Sequence, residues 1–111
     1  MIPARTPEIN IDQLAGAVTD GAAVIDVREP GEYLAGHVPG AVLIPMGQLP
    51  SRTAELDRSA AVYVVCASGN RSAAMTDFLR AAGFDAYSVA GGTSGWSRSG
   101  RPVAVGPAPR A

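Results

Sequence analysis

The chain holds one cysteine, Cys66, and it heads the run Cys66-Ala67-Ser68-Gly69-Asn70-Arg71-Ser72. Residues 61–65 before it are apolar and of strand length, and Arg71-Ser72 opens a helical pattern. A cysteine at the carboxyl end of a parallel strand, just ahead of a helix, meets unpaired backbone N–H groups and the positive end of the helix dipole. That setting favours the thiolate, which is the nucleophile. The small residues Ala67, Ser68 and Gly69 let the backbone curl around the sulfur and aim N–H donors at it. Arg71 stands in the first helical turn, where a cation is mildly unfavourable, so an anionic partner accounts for it better than solvation does. The competing reading makes Cys66 a small buried apolar residue at a strand end. A structural cysteine of that kind has no need of a glycine-containing polar loop or of an arginine at a helix mouth.

Such a loop needs a rigid sheet behind it. Apolar runs of strand length lie at 22–27, 41–44, 61–65 and 86–89, continuous except for Ser88. Runs without alternation are the mark of strands buried on both faces, as in parallel sheets. The gaps between them are long enough for parallel crossovers and carry helical patterns. Asn10 and Gln13 are spaced as a capping box, with Ile9 and Leu14 as the staple around it, and predict a first helix reaching about Asp20 before Gly21. A crossover helix is predicted over 72–82, where Met75, Phe78, Leu79 and Ala82 share a face before Gly83. An α/β fold follows.

Composition narrows the function. The 111 residues suit one domain, and 47% hydrophobic with 17% charged residues is a globular balance. The net charge is −1 and the basic residues are scattered, so nucleic acid is not an expected partner. No segment has the apolar length of a membrane span or of a signal peptide, which points to a cytoplasmic protein without membrane contact. One cysteine excludes an internal disulfide, and one Cys with one His makes a multi-ligand metal site improbable. No metal or cofactor is expected. The domain is expected to span 6–102, with 103–111 a flexible tail rich in proline and glycine. A monomer or weak homodimer is expected.

Three motifs, in order, resemble the rhodanese-like domains, and the resemblance runs from about Ile9 to Trp96. The first is Asp26-Val27-Arg28-Glu29 with Glu32-Tyr33 and Gly36-His37-Val38-Pro39-Gly40-Ala41; the second is the loop from Cys66 to Ser72; the third is Gly91-Gly92-Thr93-Ser94-Gly95-Trp96. The resemblance implies a five-stranded parallel sheet with helices on both faces, and a weak first strand near Ile9. It implies a sulfurtransferase: Cys66 attacks the outer sulfur of a donor such as thiosulfate or a persulfide, holds it as a persulfide and passes it to cyanide, a thiol or a protein thiol. By the same resemblance, N–H groups from Ala67, Ser68, Gly69, Asn70, Arg71 and Ser72 would stabilise the persulfide anion. Arg71 would anchor the loop and attract anionic donors.

The remaining motif residues have quieter readings. Asp26 and Arg28 lie at another strand's carboxyl end and are read as loop support through an ion pair. His37, in a turn-rich segment, is read as a structural hydrogen bonder; Trp96 as core with a tied indole N–H; Gly91 and Gly92 as a tight turn. Position 67 departs from the family's thiosulfate users, several of which carry arginine there, so a cation is missing at the donor's sulfonate end. A cysteine phosphatase of the wider fold group is a rival, but its loop has five residues between cysteine and arginine, and here there are four. A non-catalytic binding module of the same family is another, and retention of the cysteine argues against it.

Overall fold

A computed structural model describes residues 5–109. The chain begins with β1 (Glu8–Ile9), followed at once by α1 (Ile11–Thr19). Asn10 Oδ1 accepts the Gln13 N–H at 2.8 Å, and the Gln13 side chain accepts the Asn10 N–H at 2.8 Å. This is the reciprocal cap that the spacing predicts, and such a cap stabilises a helix by about 1 kcal/mol. Gly21, at φ +74°, turns the chain into β2 (Ala23–Asp26).

The other strands are β3 (Val42–Leu43), β4 (Val62–Val65) and β5 (Ala86–Val89). They form one sheet in the order β1-β5-β4-β2-β3, with every neighbouring pair parallel. Three strands are shorter than the apolar runs that contain them, although Val27 still donates its N–H to the Val65 carbonyl at 3.0 Å beyond the end of β2.

Helices cover both faces of the sheet. On one face Ile25, Val62, Val64 and Cys66 pack with Leu79 of α3 (Asn70–Ala81) and with Met75 and Phe78. On the other, Val24, Val65 and Val89 pack with Leu14 of α1 and Trp96 of α4 (Gly92–Arg98). Alternate residues of one strand thus enter two different cores, which is why no polar alternation is visible in the sequence. The helix predicted over 72–82 begins two residues earlier, so Arg71 and Ser72 lie inside its first turn.

Of the two remaining connections, one holds the expected helix and one does not. Between β2 and β3 stands α2 (Pro30–Ala35), opened by proline in the first turn and by the Glu29 N–H donating to Glu32 Oε1 at 3.1 Å. Between β3 and β4 there is no α-helix. Two 3₁₀ turns, Leu49–Ser51 and Thr53–Glu55, fill the gap, because Pro45 and Pro50 interrupt any longer helical ladder.

The expected tail is bonded along its described part, 103–109. Ala104 is buried and exchanges two backbone hydrogen bonds with His37, at 2.8 and 2.9 Å. The Gly106 N–H donates to the Leu34 carbonyl at 2.9 Å, and the Gly40 N–H to the Pro109 carbonyl at 3.0 Å. These are long-range backbone contacts, which leave no periodicity for a sequence reading to find. Residues 110 and 111 lie outside the described residues.

Candidate functional site

Cys66 is the first residue past β4 and is 1% exposed, so it belongs to the core and to the loop at once. The core-cysteine and reactive-loop readings therefore describe the same residue. Gly69, at φ +123°, reverses the loop and sends its N–H back to Cys66 Sγ at 3.0 Å. A residue with a side chain is strained at that φ. Ser72, in the first turn of α3 and fully buried, brings its hydroxyl to 3.4 Å from Sγ. The thiol donates to Ser72 Oγ; once ionised, it can only accept, and the hydroxyl turns its proton toward sulfur.

Electrostatics follow from that geometry. Burial pushes the Cys66 thiol up, but hydrogen bonds from the Ser72 hydroxyl and from the N–H groups of Ser72, Gly69 and Ser68 outweigh it. The thiol ends below its ordinary value. The side chains of Ser68 and Asn70 are exposed and Ala67 has no polar group, so the loop between Cys66 and Arg71 acts through its backbone.

Arg71 does not reach back over the loop carbonyls. Its guanidinium grips Glu32 of α2, Nη1 to Oε1 at 2.7 Å and Nη2 to Oε2 at 2.9 Å. The Arg71 bonds hold the Glu32 carboxyl down at about 2, and the carboxylate keeps Arg71 charged. Its charge is thus matched within the protein. Asp26 and Arg28 form a buried pair: Nε donates to Oδ1 at 2.9 Å and Nη2 to Oδ2 at 2.8 Å, while the Arg28 N–H also donates to Oδ1 at 3.0 Å. Arg28 Nη2 donates further to the Gly36 carbonyl at 2.8 Å, which ties the end of β2 to the end of α2.

The third motif backs the loop. Thr93 and Ser94 donate their N–H groups to the carbonyls of Cys66 at 2.8 Å and Ala67 at 3.0 Å. Gly91 and Gly92 both have positive φ, and a Cβ on Gly92 would collide with those two carbonyls. Trp96 is buried, with its indole N–H donating to the Pro102 carbonyl at 2.8 Å. His37 is buried and stacked on Tyr33 at 3.7 Å, with its ring nitrogens 2.9 Å from the Tyr33 carbonyl and 3.0 Å from that of Pro109. Among the described residues no group of three His, Cys, Asp or Glu side chains is placed to hold a metal.

An open cleft is lined among others by Arg28, Glu32, Gly36, Thr93, Ser94 and Arg98; none of residues 66–72 lines it, and Thr93 and Ser94, which bond the loop carbonyls, connect the two. Arg98 makes no ion pair among the described residues, so it is the uncompensated cation there.

The family profile described as "Rhodanese-like domain" matches residues 10–99. The chain belongs to the rhodanese-like domain family. Its fold agrees closely with solved members: a rhodanese-related protein of Thermoplasma volcanium is 36% identical, with a TM-score of 0.82 over 87% of this chain and 96% of that one. A thiosulfate sulfurtransferase of Pseudomonas aeruginosa is 30% identical, with a TM-score of 0.83 over 91% of this chain but 20% of that one. A Bacillus subtilis protein named "Putative sulfur carrier protein YrkF" is 35% identical over 80 residues, 70% of this chain. The chain spans 43% of that relative's length.

Two residues bonded to the helical end of the loop escape a reading of the loop alone. Glu32 was legible as part of the first motif but not as the partner of Arg71, because 39 residues separate them. Ser88, whose hydroxyl lies 2.8 Å from that of Ser72, had one signal: it is the polar residue in an otherwise apolar strand.

Proposed function

We propose that this protein is a sulfurtransferase that carries a sulfane sulfur as a persulfide on Cys66. One observation carries the reading: the only cysteine lies at a strand end with its sulfur held by the Gly69 N–H and the Ser72 hydroxyl, and its thiol falls below the ordinary value despite burial. Burial alone has the opposite effect, so the loop is organised to favour a sulfur anion. The likeness to a thiosulfate sulfurtransferase and to a protein named for sulfur carriage supports the same chemistry.

In the first half-reaction the Cys66 thiolate attacks the outer sulfur of a donor such as thiosulfate. The new Sγ–S bond forms as the donor's S–S bond breaks, and the bonding pair leaves on sulfite. The enzyme now holds a persulfide anion, for which the loop N–H groups are preorganised donors. In the second half-reaction an acceptor, a thiol, a protein thiol or cyanide in vitro, attacks the outer sulfur and the electron pair returns to Cys66. No cofactor is required, since the sulfur moves at the sulfane level and each broken bond leaves its electron pair on the group that gives the sulfur up, with no net change in electron count.

Anionic donors meet Arg98 in the cleft rather than Arg71, whose charge Glu32 already matches. Ala67 provides no cation beside the sulfur, which favours persulfide donors over thiosulfate as the partner used best. The test is kinetic. A covalent carrier releases the first product before the acceptor binds, so reciprocal plots at several donor and acceptor concentrations should be parallel. Intersecting plots contradict the persulfide route.

A further inference from the structure

We propose that Ser88 is a positioning residue for the sulfur chemistry: its buried hydroxyl donates to Ser72 and thereby directs the single Ser72 hydroxyl proton onto the Cys66 sulfur. The inference rests on the proposed persulfide role of Cys66 and extends it beyond the loop, to β5.

Ser88 is fully buried, and its Oγ has one hydrogen-bonding partner among the described residues, Ser72 Oγ at 2.8 Å. A hydroxyl buried in a strand otherwise apolar is destabilising unless it is paired, so the pair is a condition of having serine there at all. Ser72 Oγ has three polar neighbours: Ser88 Oγ at 2.8 Å, the Gly69 carbonyl at 3.0 Å and Cys66 Sγ at 3.4 Å. Each hydroxyl has one proton and two acceptor sites.

Proton counting assigns the donor role to Ser88, whose own proton has no other acceptor among the described residues. The Gly69 carbonyl only accepts, and so does an ionised sulfur. If Ser72 gave its proton to Ser88, neither of them would receive it. If Ser88 donates to Ser72, the Ser72 proton stays available to the carbonyl or the sulfur. With the neutral thiol, the S–H and Ser88 fill both acceptor sites of Ser72, whose own proton goes to Gly69. When sulfur carries the charge, the Ser72 proton swings onto it and Ser88 continues to donate. The Gly69 carbonyl is not orphaned by that swing, because the Ala73 N–H also donates to it at 3.0 Å. A donor behind Ser72 also polarises its O–H and strengthens the bond to sulfur.

The charged group that interacts with the sulfur is Arg71 from α3, which is paired with Glu32 from α2 and also interacts with Asp26 at the end of β2, itself paired with Arg28. None of them hydrogen-bonds to Ser88, so removing its hydroxyl leaves every one in place.

The experiment is the pH profile of Cys66 alkylation by iodoacetamide on the full chain and on Ser88→Ala, Ser72→Ala and the double variant, each checked for folding by near-ultraviolet circular dichroism. Ser88→Ala should raise the apparent thiol pKa and slow alkylation at neutral pH by about threefold to tenfold. In the Ser72→Ala background the same change should have no effect, because a residue acting through Ser72 has nothing left to act on. A merely structural serine lowers the melting temperature without this dependence. The proposal is overturned if Ser88→Ala leaves the profile unmoved, or moves it equally with and without the Ser72 hydroxyl. Alkylation requires no sulfur transfer, so failure of the persulfide reading and failure of this one give separate signatures.

Discussion

Arg71 and Glu32, 39 residues apart, meet through two parallel hydrogen bonds of 2.7 and 2.9 Å, and this fork joins the first turn of α3 to α2. The Cys66 loop is therefore clamped at its helical end to the segment that follows β2. Lysine keeps the charge but cannot make the paired contact. Arg71→Lys should raise the apparent pKa of Cys66 alkylation and lower sulfur transfer by on the order of 10-fold, about 1.4 kcal/mol. Parental behaviour in both assays would reduce Arg71 to a surface charge.

The same pair predicts an acid limb in stability. The Glu32 carboxyl sits at about 2 in the folded chain, against an ordinary 4.5, because of the Arg71 bonds. A carboxyl held low contributes stability that is complete above 4.5 and is lost as pH falls toward 2. Both side chains are 35% exposed, so screening limits the contribution to ~1 kcal/mol or less. Urea melts of Glu32→Gln and the parent should differ at pH 6 and converge near pH 2; a constant gap would assign the loss to packing instead.

Gly92 is the position least tolerant of a side chain. At φ +57°, with the carbonyls of Cys66 and Ala67 against it, Gly92→Ala must displace either α4 or the loop. A cost of ~2–4 kcal/mol is expected, with transfer falling as the Thr93 and Ser94 bonds to the loop are lost. Thermal melts and steady-state rates check the two halves, and an unchanged variant would show that the loop is not backed by this turn.

The C-terminal segment gives a further test. Ending the chain after Arg101 removes the Trp96 indole's acceptor, the Ala104 pair with His37 and the Gly106 and Pro109 bonds. At about 0.5–1.5 kcal/mol for each of these six bonds, the loss should be on the order of 3–9 kcal/mol. A segment as loose as its composition suggests would cost nothing when removed, and denaturant midpoints separate the two outcomes.

What the sequence made legible was local. Asn10 and Gln13 cap their helix as spaced, Leu79 faces the core with Met75 and Phe78, and Cys66 stands where a strand meets a helix. Each of these is decided within about a dozen residues, where periodicity and capping chemistry operate. What escaped depends on pairs distant in sequence: Glu32 with Arg71, Ser88 with Ser72, and Ala104 with His37. The burial of Cys66 belongs to the same class. A polar loop hides the fact that Cys66 is buried in the same cluster as Leu79 and Val64, and tertiary placement decides it.

The central claim is that Cys66 holds a transferable sulfur, and intact-mass spectrometry of the purified chain tests it most directly. After incubation with thiosulfate or a small persulfide donor and removal of the excess, the parent should gain the mass of one sulfur atom and lose it again on addition of cyanide. Cys66→Ala should gain none. A parent whose mass does not change with either donor, or a gain that persists in Cys66→Ala, contradicts the account.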